Sequence, residues 1–444
     1  MSFCGVIVET AMNITFPTLM KEFGVATNTV QWMTTLYLLV VAALVPLSAT
    51  FKRRFKMRSL FLVAISFFII GVVLDGIAPA FWVLLLGRGI QGLGTGIALP
   101  LMFNIILEQV PQSKVGMMMG IGTMITGVAP AIGPTFGGLV VSAFGWRYVF
   151  VFLLPVLVFA LVLGLLCIRQ KTPVSAVHVD ALSVALIVVT FCSLIFGISN
   201  LGSQAFMSLS VGGALLLGIV ALALFTRRSL TIKQPIINLR LFTTRAFTLS
   251  VLCFTALQIA ALGLSFLLPN YIQLVNGNSA LQAGLIVLPG AVLGAILGPL
   301  SGRLYDHVGA AIPLRTGAVL TIVGTAVMFV FGRSLGNGLI IATYTFFMAG
   351  MGLSYGNIMT SGLSFLDVAQ QSDGNAIFNT VQQFAAALGT SMAAAMVAAG
   401  QKAASNQAVG TANGTTNALL VLLVLVVVEL FIALINTHKQ AATH

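Results

Sequence analysis

Charge is scarce in this sequence: nine Asp and Glu and twenty-one Lys and Arg make up 7% of 444 residues, against 59% hydrophobic residues. With a mean hydropathy of +1.08, too few polar groups remain to cover a water-soluble surface. Histidine is rarer still. His178, His307, His438 and His444 all fall in polar breaks, which leaves no imidazole inside an apolar run. The four cysteines, Cys4, Cys167, Cys192 and Cys253, stand singly without ligand-like spacing, so neither a disulfide framework nor a metal site is expected. A phosphate-binding glycine loop with its lysine, a paired-histidine metal motif and a GxSxG elbow are missing as well. No enzyme and no cofactor are expected, and uphill work would have to draw on an ion gradient or a partner.

What is present is apolar sequence in long runs, each near the roughly 20 residues a helix needs to cross the hydrocarbon. The runs lie near 3-20, 29-51, 59-78, 80-106, 116-141, 147-168, 180-199, 206-226, 246-270, 280-301, 312-332, 337-363, 375-400 and 416-436. This predicts an all-α integral membrane protein of fourteen spans. With both termini on one side, sixteen Lys and Arg fall on that side and four on the other (Lys21, Arg147, Arg333, Lys402), while Arg88 falls inside a span. The bias places both termini in the cytoplasm and assigns the net charge of +12 to topology rather than to nucleic acid. The first run has no charged segment before it and carries Glu9 at its middle, so it is read as a span and not as a cleaved signal.

Two echoes divide the chain. "LEQVPQSKVGMM" (107–118) returns as "LDVAQQSDGNAI" (366–377), and "PLSATFKRRFKMR" (46–58) returns as "PLSGRLYDHVGAA" (299–311), at offsets of 259 and 253. Near-equal offsets imply a duplicated six-helix unit. The units are an N-terminal bundle (1-169), an inserted pair (170-226), a basic cytoplasmic connection (227-245) and a C-terminal bundle (246-444). A site between two like bundles, near the midplane, is the expected place for a transported molecule.

Three acids lie within spans: Glu9, Asp75 and Glu429. An ionised carboxylate at mid-membrane costs roughly 3 kcal/mol or more, which makes each a candidate for function. At about 1.5 Å per residue, Asp75 lies about 5 Å from the outer end of its span, within reach of interfacial water, whereas Glu9 and Glu429 lie about 18 Å deep. The two deep acids are the candidate proton carriers. Arg88, about 12 Å down, is the expected partner of Glu9. Asn13, Tyr37, Gln91, Gln258, Asn357, Asn379 and Gln382 are candidate contacts for a guest, in a cavity softened by many Met and Phe. In "GVAPAIGPTFGGL" (127–139), Gly127, Gly133, Gly137 and Gly138 permit close approach of another helix. Pro130 and Pro134 each delete a backbone donor, so the stretch is expected to bend and to act as a pivot.

The same stretch resembles the fifth-helix antiporter motif of major facilitator superfamily exporters. "GRGIQGLGTG" (87–96) resembles their fourth-helix motif with its buried arginine, here Arg88, while "ETAMNITFP" (9–17) and "QWMTTLYLL" (31–39) resemble first- and second-helix patterns of the drug:proton antiporter group. "SGRLYDHVG" (301–309) is similar to the inner-loop motif, with Gly302, Arg303, Asp306 and Gly309 in place. In the first copy of that loop, Arg53 stands where the acid belongs and Lys56 where the glycine belongs. In the first helix the usual acid aligns with Val8, so Glu9 is turned by about 100°. Fourteen spans resemble the EmrB/QacA-like branch. The resemblance implies a monomeric, proton-coupled exporter of small amphipathic or cationic compounds, sited in the lipid bilayer of the cell membrane. An exporter or flippase of one endogenous metabolite or lipid is the near alternative, and a non-transporting sensor or scaffold the distant one.

Overall fold

The computed structural model describes residues 1–111, 118, 129, 132–170, 180–201, 204–232, 235–367 and 370–441. Among these residues the regular structure is helical, and thirteen helices are long and apolar enough to cross a membrane. The chain runs through α1 (Ser2–Phe23), α2 (Thr27–Leu47), α3 (Met57–Gly76), α4 (Phe81–Ile106), the shorter apolar α5 (Ile132–Phe144), α6 (Arg147–Cys167), α7 (Ala181–Asn200) and α8 (Leu209–Thr231). It continues through α9 (Arg245–Leu274), α10 (Ala280–Tyr305), α11 (Ala311–Val330), α12 (Asn337–Ser364), α13 (Asp373–Ala403) and α14 (Gln407–Asn436). Boundaries shift modestly from the apolar runs. α8 continues to Thr231, past the boundary at 226, because its last turn stays helical through Arg227 and Arg228.

Glycine sets how closely the helices approach. In the α3–α4 hairpin a methyl group on Gly94 would sit 2.5 Å from the Ala64 carbonyl oxygen, and one on Gly71 would sit 2.6 Å from that of Gly87. The α11–α12 hairpin of the other half is joined in the same manner, with Gly317 and Gly350 against each other's backbones. In lipid, where apolar burial drives helix association far less than in water, such close backbone packing supplies the attraction.

The bundles meet along α1–α9, α1–α10 and α2–α13. Thr27 Oγ1 donates to Gln401 Oε1 at 2.7 Å, linking the start of α2 to the last turn of α13. The loops after α1 and α13 therefore share one end of the molecule, here the distal end, and the two chain termini share the other. Between the middle of the molecule and the distal end, the halves are further joined by Thr35 Oγ1 and Ser391 Oγ (3.0 Å), Asn13 Nδ2 to Ser265 Oγ (3.1 Å) and Gln273 Nε2 to the Ile14 carbonyl (3.1 Å).

The α7–α8 pair is not peripheral to this seam. α7 packs on both α2 and α13, through Gln31 Nε2 to Ser199 Oγ at 3.0 Å and a stacked Phe191–Phe384 pair with centroids 4.7 Å apart. At the terminal end of the pair, Arg228 grips Asp180 through two hydrogen bonds of 2.7 and 2.8 Å. Those bonds hold the Asp180 carboxyl well below the usual carboxylate range. A carboxyl lowered in this way stabilises the fold fully above its unfolded value of about 4 and loses that contribution as pH falls toward the lowered value. Asp180→Asn should therefore lower the thermal midpoint of the purified protein equally at pH 5 and pH 8. The difference from wild type should narrow only below about pH 4; equal midpoints at neutral pH would show that the clamp contributes nothing.

Candidate functional site

α4 carries Arg88 into the interior, where its side chain is 0% exposed. The guanidinium lies over the Tyr37 ring, 4.2 Å from its centroid. Its Nε donates to the Met33 carbonyl at 3.1 Å and its Nη1 to Gln91 Oε1 at 2.6 Å. Gln91 passes the contact on: its Nε2 donates to Asp75 Oδ2 at 2.6 Å. Tyr37 in turn donates to the Gly5 carbonyl and meets Thr95 Oγ1, both at 2.9 Å, tying α1, α2 and α4 together.

Asp75 is thus the residue whose depth the sequence misjudged. It was expected to reach interfacial water, yet it is 0% exposed. α3 and α4 press so closely at Gly71 and Gly87 that water is shut out, and a methyl on Gly87 would overlap the Asp75 carboxylate. A signal was available. Gly71 and Asp75 are four residues apart on α3, as Gly87 and Gln91 are on α4, so the faces marked by the close-packing glycines also carry the acid and the amide.

Glu9 lies on α1, in range of electrostatic interaction with Arg88, Tyr37 and, across the seam, Tyr355 of α12. It does not pair with Arg88 as expected. No salt bridge joins Glu9 to Arg88, which is turned instead toward Gln91 and the α2 backbone. Glu9 keeps 9% exposure while Asp75 and Glu429 keep 0% and 1%, so of the three acids it has the widest opening. Glu429 stands apart on α14, next to α9, where Cys253 Sγ approaches its backbone carbonyl at 3.7 Å and its own Oε2 has no hydrogen-bond partner. The structure does not bring the two deep acids to one site.

The glycine-rich stretch has a double register. Gly133 and Gly137 face α1, where a methyl on Gly137 would sit 2.6 Å from the Ala11 carbonyl oxygen and one on Gly133 would strike Thr10. Pro134 and Gly138 face α10: the Pro134 carbonyl would sit 2.6 Å from a methyl on Gly284, and Gly138 presses on the Ala280 backbone. Two stripes at i and i+4, offset by one residue, let one short helix lie against the first helix of one bundle and the second helix of the other. Thr135 Oγ1 to the Gly284 carbonyl (3.2 Å) and Leu281 N–H to Ser142 Oγ (3.1 Å) complete that side of the seam. Gly127 and Pro130 lie outside the described residues.

Residues 1–390 match the sequence profile of the Major Facilitator Superfamily. The chain belongs to this family. It is 40% identical over 398 residues to the lincomycin resistance protein LmrB of Bacillus subtilis, covering 88% of this chain and 82% of that one. To a multidrug resistance protein B homolog of Mycobacterium tuberculosis it is 28% identical over 389 residues, covering 86% and 72%. Its fold is similar to that of a bacterial homologue of the human lysosomal transporter Spinster, with a TM-score of 0.70 at 14% identity, over 98% of this chain and 95% of that one. A POT family transporter solved in complex with 5-aminolevulinic acid gives 0.68 at 15% identity, over 98% and 93%. The protein is therefore a multi-pass membrane transporter of small molecules and not an enzyme.

The remaining expected contacts of this superfamily member are spread widely. Tyr37 and Gln91 are enclosed in the Arg88 network, with their polar atoms committed to protein partners, so they face no open space. Asn13 sits in the seam between Ser265 and Thr34. Asn357 joins α12 to α10 through the Ser301 carbonyl, while half-buried Asn379 bonds within its own helix, to Asn375. Gln382 is half-buried, and Gln258 is buried, its Oε1 without a hydrogen-bond partner among the described protein groups. Of the loop motif, Gly302 is on α10, Arg303 is exposed and Gly309 closes its helix at φ 75°, a left-handed angle that favours glycine. The Asp306 side chain lies outside the described set.

Gly138→Val should force α5 away from α10. Cysteines introduced at Ser142 and Leu281 should then cross-link at no more than about half the efficiency seen with Gly138 intact, given the overlap with backbone. Unchanged cross-linking would show that the glycine stripe does not set the approach.

Proposed function

We propose that the protein is a proton-coupled exporter that moves small amphipathic or cationic compounds out of the cell in exchange for protons. The observation that carries this reading is Glu9, a carboxylate buried on a seam helix, near the fixed charge of Arg88 and with the widest opening of the acids within the spans. Uphill export without a nucleotide motif draws on an ion gradient or a partner, and Glu9 suits a proton. The names of the relatives point to drugs as cargo, with lincomycin, an amphipathic compound, the first to test.

The reading has fourteen spans, as in the EmrB/QacA-like branch, α5 supplying the one that is partly described. The excess of Lys and Arg puts the terminal end in the cytoplasm. The distal end then faces outward, and the hydrogen bonds from Thr27, Thr35 and Asn13 across to the other bundle hold the outer side closed. Alternating access consists of breaking these links while the bundles rock about α5, as one monomer. Gln258, Asn357 and Asn379 supply polar contacts to the guest, and Glu429 gives the C-terminal bundle a second, independent acid.

Glu9→Gln should abolish lincomycin-driven proton movement in inverted vesicles while leaving the protein monodisperse; unchanged proton movement would remove Glu9 from coupling. Glu429→Gln should lower the number of protons exchanged per molecule transported, and an unaltered ratio would leave that acid a packing residue.

A further inference from the structure

Arg88 has two acids within range, and the network treats them differently. Asp75 is bound to it through Gln91, whereas Glu9 is near but makes no ion pair with it. We propose that Asp75 is the resident counter-ion of Arg88, and that its charge is what leaves Glu9 free to exchange a proton for a cationic substrate. This inference rests on the reading of Glu9 as the proton carrier.

The geometry fixes the order of contacts. An amide has one acceptor end and one donor end, so Gln91 offers its oxygen to the guanidinium and its NH2 to the carboxylate, and the chain runs Arg88–Gln91–Asp75 without choice. A glycine at position 87 makes the space that Asp75 Oδ1 occupies. Two polar atoms at the ends of the chain, Asp75 Oδ1 and Arg88 Nη2, have no hydrogen-bond partner. Tyr37 and Tyr355, the other titratable groups in range of Glu9, are neutral at physiological pH and do not alter the charge count.

Charge balance supplies the mechanism. A guanidinium keeps its proton in proteins, and out of water it requires one negative charge nearby. Were Glu9 the sole acid, it would be held ionised in that task and would have no proton to give. With Asp75 ionised beside Arg88, a protonated Glu9 leaves the cluster neutral. When the Glu9 O–H bond breaks and the proton passes to water, the cluster carries one negative charge, which a monovalent cationic substrate cancels. Proton uptake reverses the sequence and expels the cation. Asp75 touches neither proton nor cargo in this cycle; it is a positioning residue acting through Arg88.

The test adds ethidium, a fixed monovalent cation, to the purified full-length protein and records binding by fluorescence and proton release with a pH dye. Asp75→Asn preserves shape and the bond to Gln91. Because Glu9 is then held ionised by Arg88 and the cluster is already neutral, the variant should bind ethidium at least about threefold more weakly than wild type and, at saturation, release at least about fivefold fewer protons. Asp75→Asn/Arg88→Gln, which removes both charges, should restore at least half of the release, a rescue no purely structural role would give. Ethidium binding by Asp75→Asn as tight as that of wild type, or no rescue in a monodisperse double variant, overturns the proposal. Wild-type release from Asp75→Asn overturns it alone if Glu9→Gln abolishes release; release that survives Glu9→Gln overturns the coupling reading instead.

Discussion

A charge inside a bilayer protein has no water to answer it, so every ionised group must find its compensation among neighbouring side chains and dipoles. Arg88 shows how fully this constraint organises the N-terminal bundle. Its guanidinium takes a carbonyl from α2, an aromatic face from the same helix, an amide from its own helix and, through that amide, a carboxylate from α3. The Tyr37 hydroxyl extends the set to α1. One buried cation thus fixes the mutual positions of four helices, and the close packing of α3 on α4 follows from the same need, since only glycines at 71 and 87 allow the acid and the amide to meet.

The seam obeys a different physics. Its tight contacts are backbone on backbone, at Gly137 with Ala11, Gly138 with Ala280 and Gly284 with Pro134, supplemented by single hydrogen bonds between hydroxyls and amides. Neither kind of contact interlocks. Interfaces of this type bind through dispersion over a smooth surface and can part without repacking side chains, in contrast to the Arg88 network a few residues away, whose members are held by buried, directional hydrogen bonds.

Much of this was legible in the sequence, and the rest was hidden for definable reasons. The spans were readable from apolar length, and the importance of Gly133 to Gly138 from the clash between so many small residues and an otherwise plain helix. Arg88 stood out because it is the sole base in a span. Direction was harder. Tyr37 and Gln91 read as possible cavity walls because polarity alone does not tell which way a side chain points, and Asp75 read as shallow because distance from a helix end was equated with access to water. The glycines that seal Asp75 were visible, but their meaning depends on pairing two faces from different helices. The separation of Glu429 from Glu9 depends on how distant segments pack, which spacing along one chain does not encode.

The position of α7 carries a consequence for motion. Because it rests on α2 of one bundle and α13 of the other, no relative movement of the bundles can leave it undisturbed. A flat ring contact such as Phe191–Phe384 tolerates sideways displacement, while the Gln31–Ser199 bond has a narrow range of length and angle. The α7–α8 hairpin is thus tied to the N-terminal half by a directional hydrogen bond and rests on the C-terminal half through a ring contact that tolerates sliding.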